Sequence, residues 1–234
     1  MLRDDGLMSD CRSGVAMLAV AVRRTPFFRS GRMHEVEGRK NMKLTLIRHG
    51  VTQGNKYGIY YGSTDLPLLD EGIAELKERR SAGGYPTAPR YYTSTLQRTQ
   101  QTIRILYGEE VVFTPVHELR EMDFGVFEMR SARELQQDDE FLRWQNGTIA
   151  TNRCPGGESF ADVQKRALSA MEEILAAPED AVCVLHGGVI SVLLMAWFPE
   201  GTFGGYMPLP GTGWQVTFED RKPVSLEKLP LQRA

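Results

Sequence analysis

Two histidines stand directly after apolar, strand-like segments of the chain. The run 44–47 leads into Arg48 and His49, and the run 181–185 leads into His186. In open α/β sheets, the carboxyl ends of parallel strands form the edge where ligands bind. Only four histidines occur in 234 residues, so two at matching strand ends predict one site with two imidazoles. Because Arg48 adds a guanidinium beside His49, the chemistry expected there is attack by an imidazole on a bound anion.

Strand and helix signals alternate from Met42 onward, which predicts a largely parallel sheet with helices on both faces. Strands are predicted over residues 42–47, 90–93, 111–116, 181–185 and, last, 214–218. Helices are predicted from a cap at Asp70, from a capping box at 94–97, and over 131–144, 159–177 and 189–197. The expected fold class is α/β, a three-layer αβα sandwich around a mostly parallel central sheet.

Composition limits the classes of partner. The chain is 41% hydrophobic and 25% charged with a net charge of -2, which is typical of a globular domain and gives no reason to expect nucleic acid or a membrane as partner. Three cysteines without a Cys-x-x-Cys pair favour a reducing cytoplasm. No cluster of His and Cys ligands and no phosphate-binding Gly-x-x-x-x-Gly-Lys loop is present, so neither a metal nor a cofactor is expected.

The first 41 residues differ from the rest. They contain eight Lys and Arg against five Asp and Glu, a net charge of 8 − 5 = +3. We interpret residues 1–41 as a disordered leader or as sequence ahead of the true translation start, with Met42 opening the functional domain 42–234. A secretory signal remains an alternative for the apolar stretch 15–22, although acidic residues precede it where such signals carry positive charge.

An ordered set of motifs resembles the histidine phosphatase (phosphoglycerate mutase-like) superfamily between about Met42 and Pro199. The motifs are Arg48-His49-Gly50, Thr52-x-x-Asn55, Ser94-Thr95-Leu96-x-Arg98-x-x-Gln101-Thr102, Glu121-x-x-x-Gly125, Gly156-Gly157-Glu158-Ser159 and His186-Gly187-Gly188. The resemblance implies a phosphoglycerate mutase-like fold and transfer of a phosphoryl group from a small organic phosphomonoester. No cofactor or metal is implied, and the oligomeric state stays open.

The resemblance assigns a role to each matching residue. His49 is the expected nucleophile, which forms a phosphohistidine, and His186 donates to a phosphate oxygen in the transition state. Arg48 and Arg98 bind the phosphoryl oxygens through their planar guanidinium groups. Asn55 adds an amide donor. For the two histidines, the alternative is an ordinary hydrogen-bonded core imidazole.

Glu121 is the expected proton donor, because the leaving oxygen needs a proton and one carboxyl group can donate it and later accept one from water. Glu118 and Glu128 are rivals. The aromatic residues Tyr61, Phe124 and Trp144 are expected to line the substrate pocket, with ordinary packing as the alternative.

The chain departs from the family pattern at two positions. Members commonly have glycine where this chain has Met129, and many have glutamine where it has Tyr61. Both departures bear on the substrate rather than on the chemistry. The Asp65-x-Pro67-Leu68 segment, Trp144 and the Gly-Gly-Glu-Ser turn look more like the α-ribazole phosphatase branch, which also includes broad-specificity enzymes.

Three functions are weighed. A metal-independent phosphatase is favoured, because mutases of this family carry a longer, arginine-rich insertion before the second histidine, whereas the arginines of residues 122–185 are scattered singly. A phosphoglycerate mutase is the alternative. A catalytically silent binding protein on the same fold is the third, and such proteins usually lose part of the residue set that this chain keeps.

Overall fold

The computed structural model describes residues 41–147 and 152–230. The predicted leader therefore lies outside the described residues except for Asn41, and the domain boundary at Met42 stays a prediction. Among the helices of these two ranges, none combines the length and the apolar character needed to cross a bilayer.

Six strands form one sheet in the order β3-β2-β4-β1-β5-β6. The strands are β1 (Met42–Arg48), β2 (Arg90–Thr93), β3 (Thr114–Pro115), β4 (Ala181–Leu185), β5 (Gly213–Glu219) and β6 (Lys222–Leu229). Strands β1 to β4 pair in parallel, whereas β5 pairs antiparallel with both β1 and β6. The prediction of a mostly parallel sheet is confirmed.

Eight α-helices connect these strands in the described ranges. They are α1 (Gln53–Tyr57), α2 (Asp70–Ala82), α3 (Gln97–Tyr107), α4 (Ala132–Leu135), α5 (Asp139–Asn146), α6 (Phe160–Ile174), α7 (Gly187–Trp197) and α8 (Phe203–Tyr206). Short 3₁₀ turns cover His117–Leu119 and Gly125–Phe127.

The central strand β4 is buried on both faces, which is why it is an unbroken apolar run. Side chains alternate between the faces of a strand. Ala181, Cys183 and Leu185 therefore enter one hydrophobic cluster, which includes residues of α6 and α7. Val182 and Val184 enter a second cluster, which includes residues of α2 and α3. The predicted three-layer αβα arrangement follows from this alternation.

Helix α6 shows why its sequence forms a helix and where it begins. Its buried side chains recur at 163, 167, 170, 171 and 174, the spacing of one helical face. Ser159 and Asp162 form a reciprocal capping box at its start. The helix ends at Ile174, three residues before the predicted limit.

Two predicted helix starts are wrong. Asp70 is the first residue of α2, and the cap position is Leu69, which makes no side-chain capping bond. The segment 94–97 is not a capping box, because Leu96 occupies the cap position of α3. The Ser94 hydroxyl instead accepts from the N–H of Leu96 and contacts a histidine in the interior.

Three other elements differ from prediction. The helix predicted over 131–144 is split into α4 and α5, because Asp138 caps a new helix start. The strand predicted over 111–116 shrinks to Thr114–Pro115. Strand β6 was not predicted, because it is an edge strand with a largely exposed, charged sequence that contains Pro223. It follows a tight turn in which Asp220 and Arg221 both have positive φ, of 49° and 62°.

Met129 adopts a backbone conformation that disfavours side chains. Its φ is +61°, its side chain is 43% exposed, and its N–H donates to the carbonyl of Tyr60. A left-handed conformation costs a residue other than glycine about 1–2 kcal/mol. This backbone conformation explains why the family commonly has glycine at this position, since glycine adopts a positive φ without that cost.

We expect Met129→Gly to raise the free energy of unfolding by about 1 kcal/mol, because relief of backbone strain exceeds the entropic cost of glycine, about 0.5–1 kcal/mol. Urea unfolding of the purified protein measures the change. Val126→Gly is the matched control, since Val126 is similarly exposed but is not among the residues with positive φ; this variant should be destabilised. Equal losses in both variants would contradict the strain argument.

Candidate active site

The carboxyl ends of β1 and β4 bring the two histidines together. Arg48 and Leu185 are paired in register, and the N–H of His49 donates to the carbonyl of Leu185 over 3.0 Å. The imidazole centroids of His49 and His186 lie 5.3 Å apart with an interplanar angle of 61°. The predicted juxtaposition at the sheet edge is confirmed.

His49 is oriented and neutral. Its side chain is almost fully buried, and its Nδ1 lies 2.7 Å from the carbonyl oxygen of Gly50. Because a carbonyl oxygen only accepts, Nδ1 carries the ring proton and Nε2 keeps a lone pair. Burial first, and then the charges of Arg98 and Arg48, hold the pKa of His49 well below its ordinary value. A neutral imidazole with a fixed, unprotonated Nε2 is suited to nucleophilic attack.

The backbone at Gly50 fixes this orientation. Its N–H donates to the Thr102 hydroxyl over 3.0 Å, and that hydroxyl donates to the carbonyl of Arg98 over 2.7 Å. A Cβ at position 50 would lie 2.6 Å from Cδ1 of Leu76. Gly50 therefore fits between α2 and α3, and α3 positions the His49 ring through Thr102.

Arg98 is fully buried. Its Nη1 donates to the carbonyl of Thr64 and its Nη2 to the carbonyl of Gly62, each over 2.9 Å, and its Nε donates to Nδ1 of His186 over 3.3 Å. All of these acceptors are uncharged. The guanidinium is therefore held in place while its positive charge stays uncompensated.

Arg48 approaches from the other side of the site. Its Nη1 donates to the carbonyl of Pro208 over 2.8 Å, and its buried Nε has no protein partner. Within the described ranges, neither Arg48 nor Arg98 forms an ion pair. Burial lowers the pKa of both groups, and the nearby Tyr61 and Glu121 oppose this effect. One buried and one partly buried cation, neither with an ion-pair partner, form a strong site for an anion.

Glu128, one of the rivals for the proton-donor role, organises the loop that holds Arg98. Its Oε1 accepts from the N–H groups of Gly62, Ser63 and Phe124, and its Oε2 from the N–H and hydroxyl of Thr64. These contacts span 2.5–3.2 Å. Because this carboxylate accepts five hydrogen bonds from the surrounding loops, its role is structural rather than that of the proton donor. The other rival, Glu118, is exposed.

His186 is fully buried, and its tautomer follows from its neighbours. Arg98 only donates, so Nδ1 of His186 is unprotonated, and the neutral ring carries its proton on Nε2, 2.8 Å from the Ser94 hydroxyl. Ser94 can in turn donate to Thr99, whose hydroxyl donates to the carbonyl of Leu96. Burial and the charge of Arg98 lower the pKa of His186 strongly. In this arrangement, neither ring nitrogen of His186 is free to donate to a ligand.

Glu121 is half-buried at the start of α7. Its Oε2 accepts from the N–H of Gly188 over 3.1 Å, and its Oε1 from the N–H of Met122 over 3.0 Å. Anions are stabilised at helix N-termini by exposed N–H groups and the helix dipole. A Cβ on Gly188 would lie 2.5 Å from Oε1 of Glu121. The glycine therefore leaves room for the carboxylate.

Asn55 and Tyr61 form one hydrogen-bond network. Oδ1 of Asn55 accepts from the N–H and hydroxyl of Thr52 and from the hydroxyl of Tyr61, over 3.0–3.1 Å. Because Oδ1 receives all these donors, the amide nitrogen is left as a donor, and no acceptor for it lies among the described residues. The Tyr61 ring lies 4.8 Å from Cζ of Arg98 and 6.4 Å from the His49 ring. Tyr61 is therefore part of the site.

The other two predicted pocket residues lie in an aromatic cluster. Trp144 is only 7% exposed and packs against Tyr60, Phe127 and Phe141, with ring centroids 5.7–6.1 Å apart. Phe124 is partly buried, 5.2 Å from Tyr60 and 6.4 Å from Trp144. For Trp144, this burial favours ordinary packing over the predicted role in lining the substrate pocket.

Several supporting residues were missed at the sequence level. Thr102 and Ser94 stand inside the motif that contains Arg98, and their hydroxyls could have been taken as a signal. Arg166 on α6 carried no signal, because it reads as part of the polar face of a helix. Among the described residues, no three or more His, Cys, Asp and Glu side chains are grouped to hold a metal ion.

Comparison with known proteins agrees with the family that the motifs of this site indicate. A family model described as the histidine phosphatase superfamily (branch 1) matches residues 44–222. An adenosylcobalamin/alpha-ribazole phosphatase from Salmonella typhimurium is 32% identical over 160 residues, which cover 65% of this chain and 78% of that protein. A relative from Enterobacter sp., named "Probable phosphoglycerate mutase GpmB", is 32% identical over 160 residues and is covered to 73%. The crystal structure of the alpha-ribazole phosphatase from Shigella flexneri has a TM-score of 0.68 at 26% identity, covering 78% of this chain and 93% of that one.

The two buried histidines make stability depend on pH. Since their pKa values are lowered in the folded protein, the unfolded chain binds the protons first. The resulting stability is present above the ordinary histidine pKa of 6.5 and is lost as the pH falls below it. We expect the free energy of unfolding to fall between pH 6.5 and 5 by up to about 1.4 kcal/mol per pH unit for each histidine. Urea unfolding at several pH values measures the slope, which His49→Ala should reduce by about half; an unchanged slope in the variant would contradict a neutral His49.

Proposed function

Because the chain belongs to the histidine phosphatase superfamily, we propose that it hydrolyses small organic phosphomonoesters by transferring the phosphoryl group to His49. The observation that carries the proposal is the neutral His49 ring, with a free Nε2, beside the buried guanidinium of Arg98 and the partly buried one of Arg48, neither of which is paired with a carboxylate. A phosphate ester supplies both the anion that these cations attract and the electrophile that the imidazole attacks.

In the first step, Nε2 of His49 attacks phosphorus in line with the leaving oxygen. The N–P bond forms as the P–O bond breaks, and the negative charge spread over the three equatorial oxygens is stabilised by Arg48, Arg98 and the Asn55 amide. Glu121, which takes up a proton from solvent when the phosphate anion enters the site or keeps the one gained in the previous turnover, gives that proton to the leaving oxygen. The Nδ1–H of His49 keeps its hydrogen bond to Gly50 throughout.

In the second step, the Glu121 carboxylate takes a proton from a water molecule whose oxygen attacks the phosphohistidine. A new P–O bond forms as the N–P bond breaks, and the electron pair of that bond returns to Nε2 of His49. Inorganic phosphate then leaves the site. One carboxyl group thus acts first as acid and then as base.

His186 needs a proton on Nδ1 to donate to a phosphoryl oxygen. We propose that it gains this proton from solvent when the substrate anion arrives, because the anion offsets the positive charge of Arg98 that otherwise disfavours an imidazolium and replaces Nδ1 as the acceptor of the Arg98 Nε–H. Its Nε2–H then keeps donating to the Ser94 hydroxyl. The sequence-level role of His186 is retained with this change of protonation.

The substrate class is a small organic phosphate, and the names of the relatives make α-ribazole 5′-phosphate the first candidate, with broad specificity beside it. Tyr61 is the aromatic side chain nearest to His49 among the predicted pocket residues and would contact the organic part of the substrate. The proposed reaction uses no metal, because Arg48, Arg98 and His186 supply the positive charge.

A phosphoglycerate mutase is the second candidate, favoured by the relative that carries that name. A mutase must hold a second acidic group on the substrate. Arg130 and Arg153, two of the arginines between Glu121 and His186, are instead paired with Asp138 and Asp162 over 2.8 and 2.9 Å. This pairing supports a phosphatase.

We also infer a cytoplasmic enzyme. Cys154 and Cys183 are buried, unbridged thiols, and burial raises the pKa of each to about 12. Such thiols are inert and suit a reducing compartment.

The phosphohistidine can be trapped directly. Rapid acid-free quenching after mixing with a ³²P-labelled aryl phosphate should leave an acid-labile phosphoryl group on the peptide that contains residue 49. His49→Ala should form no adduct and show no turnover, since the attacking nitrogen is gone, whereas His117→Ala, which changes an exposed histidine, should behave like the wild type. Label on another peptide would remove His49 from its role.

A panel of substrates separates the candidate functions. Phosphate release from an aryl phosphate, α-ribazole 5′-phosphate, sugar phosphates and phosphoglycerates is measured with and without EDTA. We expect release from at least one organic phosphate, unchanged by EDTA. Interconversion of 2- and 3-phosphoglycerate that is faster than phosphate release would favour the mutase. Complete loss of activity on chelation would contradict the metal-free mechanism. Phosphate release no faster than in His49→Ala would favour a silent binding protein.

A further inference from the structure

All five N–H groups of Arg166 are used, and three of them donate to the segment that carries Glu121. Its Nη1 donates to the carbonyls of Glu118 and Arg120, each over 2.6 Å, and its Nη2 to the carbonyl of Glu121 over 3.0 Å. The remaining two N–H groups meet the Glu158 carboxylate, Nε over 2.8 Å and Nη2 over 2.9 Å. A guanidinium has five donors in a fixed plane, and each has found one acceptor.

Glu158 extends this contact to the far end of the same segment. Its Oε2 also accepts from the N–H of Asp123 over 3.0 Å, and its own N–H donates to the carbonyl of Asp123 over 2.9 Å. Burial would raise the pKa of Glu158, but hydrogen bonds from Arg166 and Asp123 hold it below its ordinary value. The pair Arg166–Glu158 therefore forms hydrogen bonds with the backbone from residue 118 to residue 123.

This segment belongs to no helix or strand beyond the 3₁₀ turn His117–Leu119. Leu119 and Met122 bury their side chains in the core, and Glu121 between them is half-buried. Backbone carbonyls are strong acceptors that need partners. Arg166 supplies partners to the carbonyls at 118, 120 and 121 from α6, a capped helix whose apolar face is packed into the core. The position of the Glu121 backbone is thus fixed by Arg166 on α6 together with the packing of Leu119 and Met122.

We infer that Arg166 is a positioning residue for the proton transfer: by holding the carbonyls around Glu121, it places that carboxyl group against the leaving oxygen of the substrate. The inference rests on the proposed role of Glu121 as proton donor. Lysine cannot substitute for Arg166, because an ammonium group has three donors on a flexible stem and no planar fork.

The test exploits the leaving group. An aryl phosphate has a stable leaving anion and needs little proton donation, whereas an alkyl phosphate depends on it. We expect Glu121→Gln to reduce kcat/KM about 10²-fold or more on the alkyl phosphate and little on the aryl phosphate. Arg166→Lys should repeat this selectivity with a loss of about tenfold or more on the alkyl phosphate, since a small misplacement of a catalytic group is enough to slow the reaction.

Arg153→Lys is the matched control. Arg153 is also paired with an acidic residue of α6, Asp162, but its side chain donates to the carbonyl of Gly157 and to none in the segment 118–123. This variant should behave like the wild type on both substrates. If Arg166→Lys does not fold, Glu158→Gln replaces it, and we expect the same selectivity with a smaller loss.

A double variant distinguishes positioning from general loosening. If Arg166 acts through Glu121, adding Arg166→Lys to Glu121→Gln should cause no further loss on the alkyl phosphate. Equal losses on both substrates in Arg166→Lys, or multiplicative losses in the double variant, would overturn the inference while leaving Glu121 in place. Absence of a leaving-group effect in Glu121→Gln itself would instead overturn the proposed acid, and the inference with it.

Discussion

The burial of positive charge without a carboxylate partner is the constraint on which the site depends. Moving a guanidinium out of water costs several kcal/mol, of the order expected for any buried ion, and Arg98 is fully buried. The protein offsets part of this cost with neutral acceptors, the carbonyls of Gly62 and Thr64 and the ring nitrogen of His186. The remaining charge is available to a phosphate ester, and the same charge helps to keep the His49 imidazole neutral and therefore nucleophilic.

His49 and Glu121 are each held by a backbone group rather than by another mobile side chain. The carbonyl of Gly50 fixes the His49 ring, and the N–H of Gly188 fixes the Glu121 carboxylate. Carboxylates outside the reaction hold the loops: Glu128 binds the backbone at 62–64, and Glu158 accepts directly from the backbone N–H of residue 123 and also pairs with Arg166. Such a site is arranged before substrate binds, so little reorganisation is needed when charge develops in the transition state.

The strands that carry chemistry were predictable because they are buried on both faces. Strands β1 and β4 are short apolar runs that end at a histidine, and no other element gives that pattern. The edge strand β6 was missed because its polar face looks like a loop, and the predicted third strand shrank because only two of its residues pair with β2. Helix starts at Asp70 and Ser94 were misread because Asp and Ser favour caps in general, whereas the Ser94 hydroxyl is engaged by His186.

The sequence by itself determined which groups are candidates for the chemistry: two histidines and two arginines in strand-end and loop motifs, with an acidic residue at a recognisable spacing. Only the tertiary structure decided the proton positions on His49 and His186 and the burial of Trp144 in an aromatic cluster. It also decided that Glu128 binds the backbone at 62–64 and that Arg166 binds the backbone carbonyls around Glu121. The physical reason is distance along the chain. The tautomer of His186 and the hydrogen bonds of Arg166 depend on contacts between residues about 45 to 90 positions apart, and those contacts exist only once the sheet has brought its strand ends together.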